Sequence, residues 1–250
     1  NGPVINAARG LATQVQAVVI KFSHNFYVAV QPQITKSYAS NNVNESHDLV
    51  LRSSRLAFLL LTAMIVPLIT ETEFVLQLWL KEVPAHTATF VQIILICSLI
   101  DSFSSPLVYL MLATGKIKRY QIVVGLFNLL NFPVAWFILY CGGSPELAQF
   151  SIIFFAIGAL FLRVSMLRLM TQFPVREFFL STVMRCLVIM LICISISYII
   201  ASFCEIGLLS FLFNLGVTEL SLCSLVYFVG VNVGEREFIK RKITVILRRR

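Results

Sequence analysis

The sequence predicts an all-α fold, a polytopic bundle of about seven membrane-spanning helices. Three observations carry that prediction. Apolar residues make up 58% of the chain and charged residues 13%, against roughly 45–50% and 25% in ordinary soluble domains. The apolar runs are continuous and about twenty residues long, which suits spanning helices and disfavours a β-barrel. The segments between the runs alternate between basic and non-basic, as the positive-inside rule requires.

The opening stretch, Pro3 to Gln33, differs from every later run. At 100° per residue, Val4, Leu11, Val15, Val18, Val19, Phe22, Phe26 and Ala29 fall on one side. Asn6, Arg9, Thr13, Gln16, Lys21, His24 and Gln31 fall on the other, with Gln14 and Asn25 on its flank. This is a long helix with a wide polar face. At ~1.5 Å per residue it is long enough to cross a ~30 Å core. Surface-lying helices usually carry many cations, and this face holds only Arg9 and Lys21. Both a spanning and a surface placement stay open on pattern alone. If it spans, the polar face must meet a cavity or a bundle interior.

The segment from Lys36 to Asp48 reads as a polar loop. A second helix covers about Leu49–Thr70 and contains Pro67. The short run FVLQLWL cannot span, and Trp79 suits the membrane interface. Further spans are expected at about His86–Ala113, Tyr120–Tyr140, Pro145–Leu167, Phe178–Ser202 and Gly207–Val233. Pro106 and Pro133 lie inside two of them. Such prolines are tolerated where neighbours satisfy the freed carbonyl, and they mark bends.

Loop charges test this parse. Lys36, Arg52 and Arg55 flank the first loop; Glu71, Glu73, Lys81 and Glu82 lie in the second. Lys116, Lys118 and Arg119 follow, then Glu146 alone, then Arg163, Arg168 and Arg176, then Glu205 alone. The tail 234–250 is strongly basic. The odd loops and the C-terminus are therefore expected on the cytoplasmic side, and Asn1 outside if the first helix spans. The net charge of +8 has the same origin, so no nucleic-acid partner is called for. Membrane lipids are the expected surroundings, and the tail suits an anionic leaflet or simply fixes topology.

Asp101 sits near the middle of its span, beside Ser102, Ser104 and Ser105 and just before Pro106. It reads either as a carboxylate satisfied by hydroxyls and a neighbouring helix, or as a coupling or pathway group. Arg185 either snorkels or, as the favoured reading, forms a structural pair with Glu219 between the last two spans, and Arg163 and Arg168 read as snorkelling side chains. The six cysteines have no metal or redox spacing and read as small buried residues; Cys141 and Cys204 fall near the same membrane face without further support for a bridge. No catalytic constellation and no metal motif is present. The turn Ala113-Thr114-Gly115 before Lys116-Ile117-Lys118 reads as a turn with basic anchors, not a phosphate cradle, because no strand precedes it. The chain opens at Asn1-Gly2-Pro3 without an initiator Met, and the expectation is a piece of a longer protein.

The strings GPVINAARGLATQVQ, QPQITKSYAS, RSSRLAF, ETEFVLQLWL and ATGKIKRYQIVVG resemble bacterial polysaccharide-biosynthesis flippases. These belong to the multidrug/oligosaccharidyl-lipid/polysaccharide export superfamily, with a MATE-like fold. The resemblance is strongest over residues 2–135, and the later helices match only as apolar spans. It implies a C-terminal half: residues 1–172 as most of a second six-helix bundle with five spanning helices, 173–233 as two additional C-terminal spans, and 234–250 as a basic cytoplasmic tail. It also implies that the first helix spans and faces an inter-bundle cavity whose other wall belongs to a missing N-terminal half of the same protein. The location implied is the bacterial cytoplasmic (inner) membrane.

On that resemblance the function expected is a flippase for an isoprenoid-pyrophosphate-linked oligosaccharide, with no bond made or broken and no catalytic or cofactor role. Arg9 and Lys21 would attract the pyrophosphate. Gln14, Gln16, Asn25 and Gln31 would bond sugar hydroxyls, and His24 can change charge near neutral pH. The alternative is a drug antiporter on the same fold, with Asp101 binding a coupling cation, H⁺ or Na⁺. A membrane glycan polymerase is disfavoured by short external loops with isolated acids.

Overall fold

The computed structural model describes residues 2–203 and 207–230. Cys204, Glu205, the tail 234–250 and the orientation of Asn1 lie outside the described residues. Eight helices follow in order: α1 (Gly2–Ala39), α2 (Val43–Thr70), α3 (Thr72–Trp79), α4 (Thr87–Ala113), α5 (Ile117–Tyr140), α6 (Pro145–Thr171), α7 (Val175–Phe203) and α8 (Leu208–Gly230). No strand occurs among the described residues. Six of these helices, α2, α4, α5, α6, α7 and α8, are long and apolar enough to cross a membrane. The chain is a multi-pass membrane protein. The expected seventh, α1, has 38 residues but does not share that apolarity, because its polar stripe runs along most of its length.

The predicted loop 36–48 is corrected to a tight turn at residues 40–42. Polarity there stabilises helix ends rather than a loop. Asn41 takes the left-handed conformation with φ 63°. Asn42 is the N-cap residue of α2, and its side-chain amide donates to Glu45 Oε2, in the first turn of α2, at 3.2 Å. Ser37 Oγ also donates to Glu45, at 3.1 Å. The turn thus joins the end of α1 to the start of α2.

α4 is the central helix. It packs against α1, α2 and α6, while α2 packs in turn on α7 and α8. The core between α2, α4 and α7 is aromatic: Phe58 stacks on Phe103 with centroids 4.4 Å apart, and Phe178 meets Phe103 edge-on. All three rings are buried. α7 contains a wider π-type turn over Phe178–Val183.

α2 and α4 run without interruption through Pro67 and Pro106, whereas α5 breaks near its proline. In α5 the regular helix is interrupted at Leu130, between Ile117–Leu129 and Asn131–Tyr140. Pro133 has no N–H for the carbonyl of Leu129, and its ring crowds that carbonyl. The outer surface of α5 carries Leu129, Phe132, Trp136 and Phe137, all exposed, as suits a lipid-facing helix.

α5 docks on α6 through Phe127, whose ring meets Phe155 at 5.1 Å between centroids. A Cβ on Gly158 would come within 2.4 Å of Phe127 Cζ. The missing side chain at Gly158 therefore admits the ring. Gly158→Ala is expected to displace Phe127 and lower stability by about 1–3 kcal/mol, the usual range for overpacking. Thermal unfolding of the purified variant in detergent checks this, and an unchanged midpoint would contradict it.

Gln172 and Pro174 share one cavity with Tyr38, Val43 and Asn44, which flank turn 40–42, and turn 114–116 lies beside the end of α6 in another. His86, before α4, pairs with Glu146 at the start of α6. Among the described residues the basic turns thus share one end of the bundle, and the segments before α4 and α6 meet at the other. The expected pair between Arg185 and Glu219 is not formed. Counted from Phe203 at the end of α7 and Leu208 at the start of α8, Arg185 is about seven residues deeper than Glu219, an axial offset of ~10 Å. The polar tie among α2, α7 and α8 is instead Asn214, fully buried. It donates to Glu71 at 3.0 Å and accepts from Ser197 at 2.9 Å and Thr218 at 3.2 Å.

Candidate functional site

The seam between α1 and α4 holds a cavity of about 230 Å³. Two periodic faces meet there. From α1 come Gln16, Val19, Ser23, His24 and Tyr27, spaced at three or four residues so that they share one side of the helix. From α4 come Ser98, Asp101, Ser102, Ser105 and Tyr109, with the same spacing. The close approach of the helices rests on small residues, since Ala8 and Ala12 are fully buried against the bundle.

The proline of α4 is built into this site. Pro106 has no N–H, so the carbonyl of Ser102 has no donor four residues on. Tyr27 supplies one from the neighbouring helix: its hydroxyl donates to Ser102 O at 3.1 Å. Tyr27 is buried, and its ring packs edge-on against Tyr109 with centroids 5.9 Å apart. Ser54 of α2 donates to the next carbonyl, Phe103 O, at 3.4 Å. The backbone of α4 before Pro106 is therefore held from both α1 and α2.

Asp101 lies one helical turn before Pro106 and is exposed within the cleft. Arg163 approaches α4 from α6. Its Nη1 donates to Ser104 Oγ at 3.0 Å, and the guanidinium acts electrostatically on Asp101. The expected snorkelling of Arg163 is thus corrected: the side chain turns into the bundle, where Ser104 accepts its hydrogen bond. Ser102 and Ser104 are buried. Ser102 Oγ returns to the backbone at Leu99 O at 2.6 Å. The serines predicted as one patch therefore split, with Ser102 and Ser105 on the α1 side and Ser104 on the α6 side.

Of the residues predicted for a substrate cavity, Gln16 and His24 line this cleft together with Asp101. Arg9, Gln14, Lys21, Asn25 and Gln31 do not; they are exposed along the rest of α1. The reason is rotational. The buried stripe of α1 is Ala8, Ala12, Val19, Tyr27 and Ile34, not the apolar side seen in the sequence. Val4, Val18 and Phe22 of that side are 45%, 61% and 45% exposed. Tyr27, Tyr109, Ser23 and Ser98 belong to the cavity and were not among the predicted residues. Their common spacing with Gln16 and Asp101 was the available signal.

Among the described residues no group of three or more His, Cys, Asp or Glu side chains could hold a metal ion. His47 is buried, within 3.1 Å of Thr171 Oγ1 and edge-on to Phe173. It ties α2 to the end of α6 and lies apart from the cleft. Comparison with known families finds that residues 2–137 match the MatE family model. That is more than half of the chain, and it includes α1, α4 and the cleft between them. No curated protein and no solved structure gives a significant match.

Proposed function

The chain belongs to the MatE family of membrane transporters, and from that premise we propose that it works as a flippase for an isoprenoid-pyrophosphate-linked oligosaccharide. The observation that carries this reading is the exposed stripe of α1. It offers two cations, Arg9 and Lys21, among the hydrogen-bonding groups Asn6, Thr13, Gln14, Asn25 and Gln31, and the whole helix contains no carboxylate. A sugar pyrophosphate needs weak positive charge and many amide or hydroxyl partners. A cationic drug would need carboxylates.

In this reading the stripe faces a water-filled path shared with the N-terminal half of the same protein. The pyrophosphate passes along Arg9 and Lys21, sugars exchange bonds with the amides, and the isoprenoid tail stays in bilayer. Movement of one half against the other alternates access. Pro106 leaves α4 one backbone hydrogen bond short beside that path, and Tyr27 supplies the missing donor. The setting proposed is the bacterial cytoplasmic membrane, with the basic turns inward. The direct cellular test is depletion of the protein in its host. Lipid-linked oligosaccharide should accumulate on the cytoplasmic leaflet while surface polymer falls. Normal surface polymer after depletion would overturn the reading.

Asp101 favours a second reading, a cation-coupled antiporter, because it is a carboxylate open to the cleft at membrane depth. A bound H⁺ or Na⁺ would there compete with the field of Arg163. Asp101→Asn separates the two. Under the flippase reading surface polymer falls by no more than about threefold, since the carboxylate touches no headgroup. Under the antiporter reading gradient-driven efflux is lost.

A further inference from the structure

A second cavity, of about 510 Å³, lies at the end of the bundle that carries the basic turns. One wall is the start of α5, with Lys116, Lys118 and Arg119, all exposed. The other is the last turns of α6, with Met166, Leu169 and Met170. A wider cavity of about 1190 Å³ shares Leu169 and adds Arg168 and Arg176. Together the two hold five cations against one carboxylate, Glu177.

We propose that this cleft between the start of α5 and the end of α6 binds the phosphate-bearing headgroup of an anionic membrane phospholipid. The proposal does not rest on the transport reading. Three features point to an amphiphile with a negative head. The cations stand where three spans, α4, α5 and α6, begin or end, which is the depth of lipid headgroups. The wall opposite them is apolar, and Leu169 is 87% exposed, too much for a residue that only packs. The apolar surface continues down α5 through Ile122 and Leu126, 50% and 59% exposed, in the direction an acyl chain would take. Basic pockets between spans suit such headgroups. The uncapped first turn of α5 adds to the positive field. Read as sequence, Lys116-Ile117-Lys118 is only an anchor; the cavity and the exposed leucine make it a site.

The test is native mass spectrometry of the purified protein titrated with phosphatidylglycerol and with phosphatidylethanolamine. The wild type should bind phosphatidylglycerol preferentially. The triple variant K116Q/K118Q/R119Q should lose that preference, with binding weakened on the order of a hundredfold, since each interfacial cation contributes roughly fivefold. Leu169→Gln should weaken phosphatidylglycerol binding severalfold, and Lys81→Gln, at the opposite end of the bundle, should not change it. Glycerol 3-phosphate should fail to displace the lipid. An undiminished preference in the triple variant would overturn the site. An equal loss in Lys81→Gln would assign the effect to overall charge, and displacement by glycerol 3-phosphate would make it a site for free phosphate; either result overturns the lipid assignment. Unchanged helical circular dichroism in each variant keeps the comparison valid.

Discussion

Replacing Arg9 and Lys21 together by alanine is expected to abolish surface polysaccharide at normal expression of the full-length protein. Both side chains are exposed on α1, so neither holds the described bundle together, and the variant should fold and reach the membrane. The two lie twelve residues apart on one helix, ~18 Å along its axis. A single pyrophosphate cannot touch both at once. They are therefore successive contacts, and each single variant should slow transport without ending it. A charge-assisted contact to phosphate is worth roughly 1.5–3 kcal/mol, so each single variant should lose about tenfold to a hundredfold in rate. Lysine at position 9 should recover part of the loss, and glutamine should recover none. Polymer assays in the single and double variants check this. Normal polymer in all three would remove the headgroup role from α1.

Tyr27→Phe is expected to destabilise the bundle by about 1–3 kcal/mol, the range for leaving one buried polar group without its partner. The group is the Ser102 carbonyl, which Pro106 deprives of its helical donor. This identifies a rescue. Pro106→Ala restores an N–H for Ser102 O, so Tyr27→Phe should be less damaging in that background. The double-mutant cycle should show a coupling of at least about 1 kcal/mol. Thermal unfolding in detergent measures it. Additive effects would mean that Tyr27 does not serve the carbonyl freed by Pro106. If this junction of α1 and α4 also serves transport, Tyr27→Phe should lower the transport rate in protein that remains folded, measured well below its unfolding midpoint.

The bundle was legible in the sequence where one physical signal dominates. Long uncharged runs separated by charged turns place α2, α4, α5, α6, α7 and α8 within a few residues, because only length and hydropathy matter. The turn at 40–42 was not legible, because Ser, Asn and Glu are polar in a loop and equally at helix caps, and only the Asn42–Glu45 spacing hints at the cap. The Pro133 break could be anticipated from the missing N–H, whereas the π-type turn at Phe178–Val183 leaves no local mark. At the cleft, Gln16, His24 and Asp101 stood out as polar groups at membrane depth. Tyr27 and Tyr109 did not, since a tyrosine in an apolar run reads equally as core or interface. Which polar residues turn inward depends on the rotation of α1. That rotation is set by how closely Ala8 and Ala12 let it approach its neighbours, a packing result that periodicity alone does not contain. Arg163 was misread for a related reason: its partner Ser104 lies on another helix, 59 residues away.

The most direct measurement is leaflet transfer by the purified full-length protein in liposomes loaded with a short-chain isoprenoid-pyrophosphate oligosaccharide bearing a fluorophore. The wild type should transfer label between leaflets far faster than protein-free liposomes, and the Arg9/Lys21 double alanine variant should fall to the protein-free rate. No transfer by the wild type, together with efflux of a cationic dye driven by a proton or sodium gradient, would contradict the flippase account.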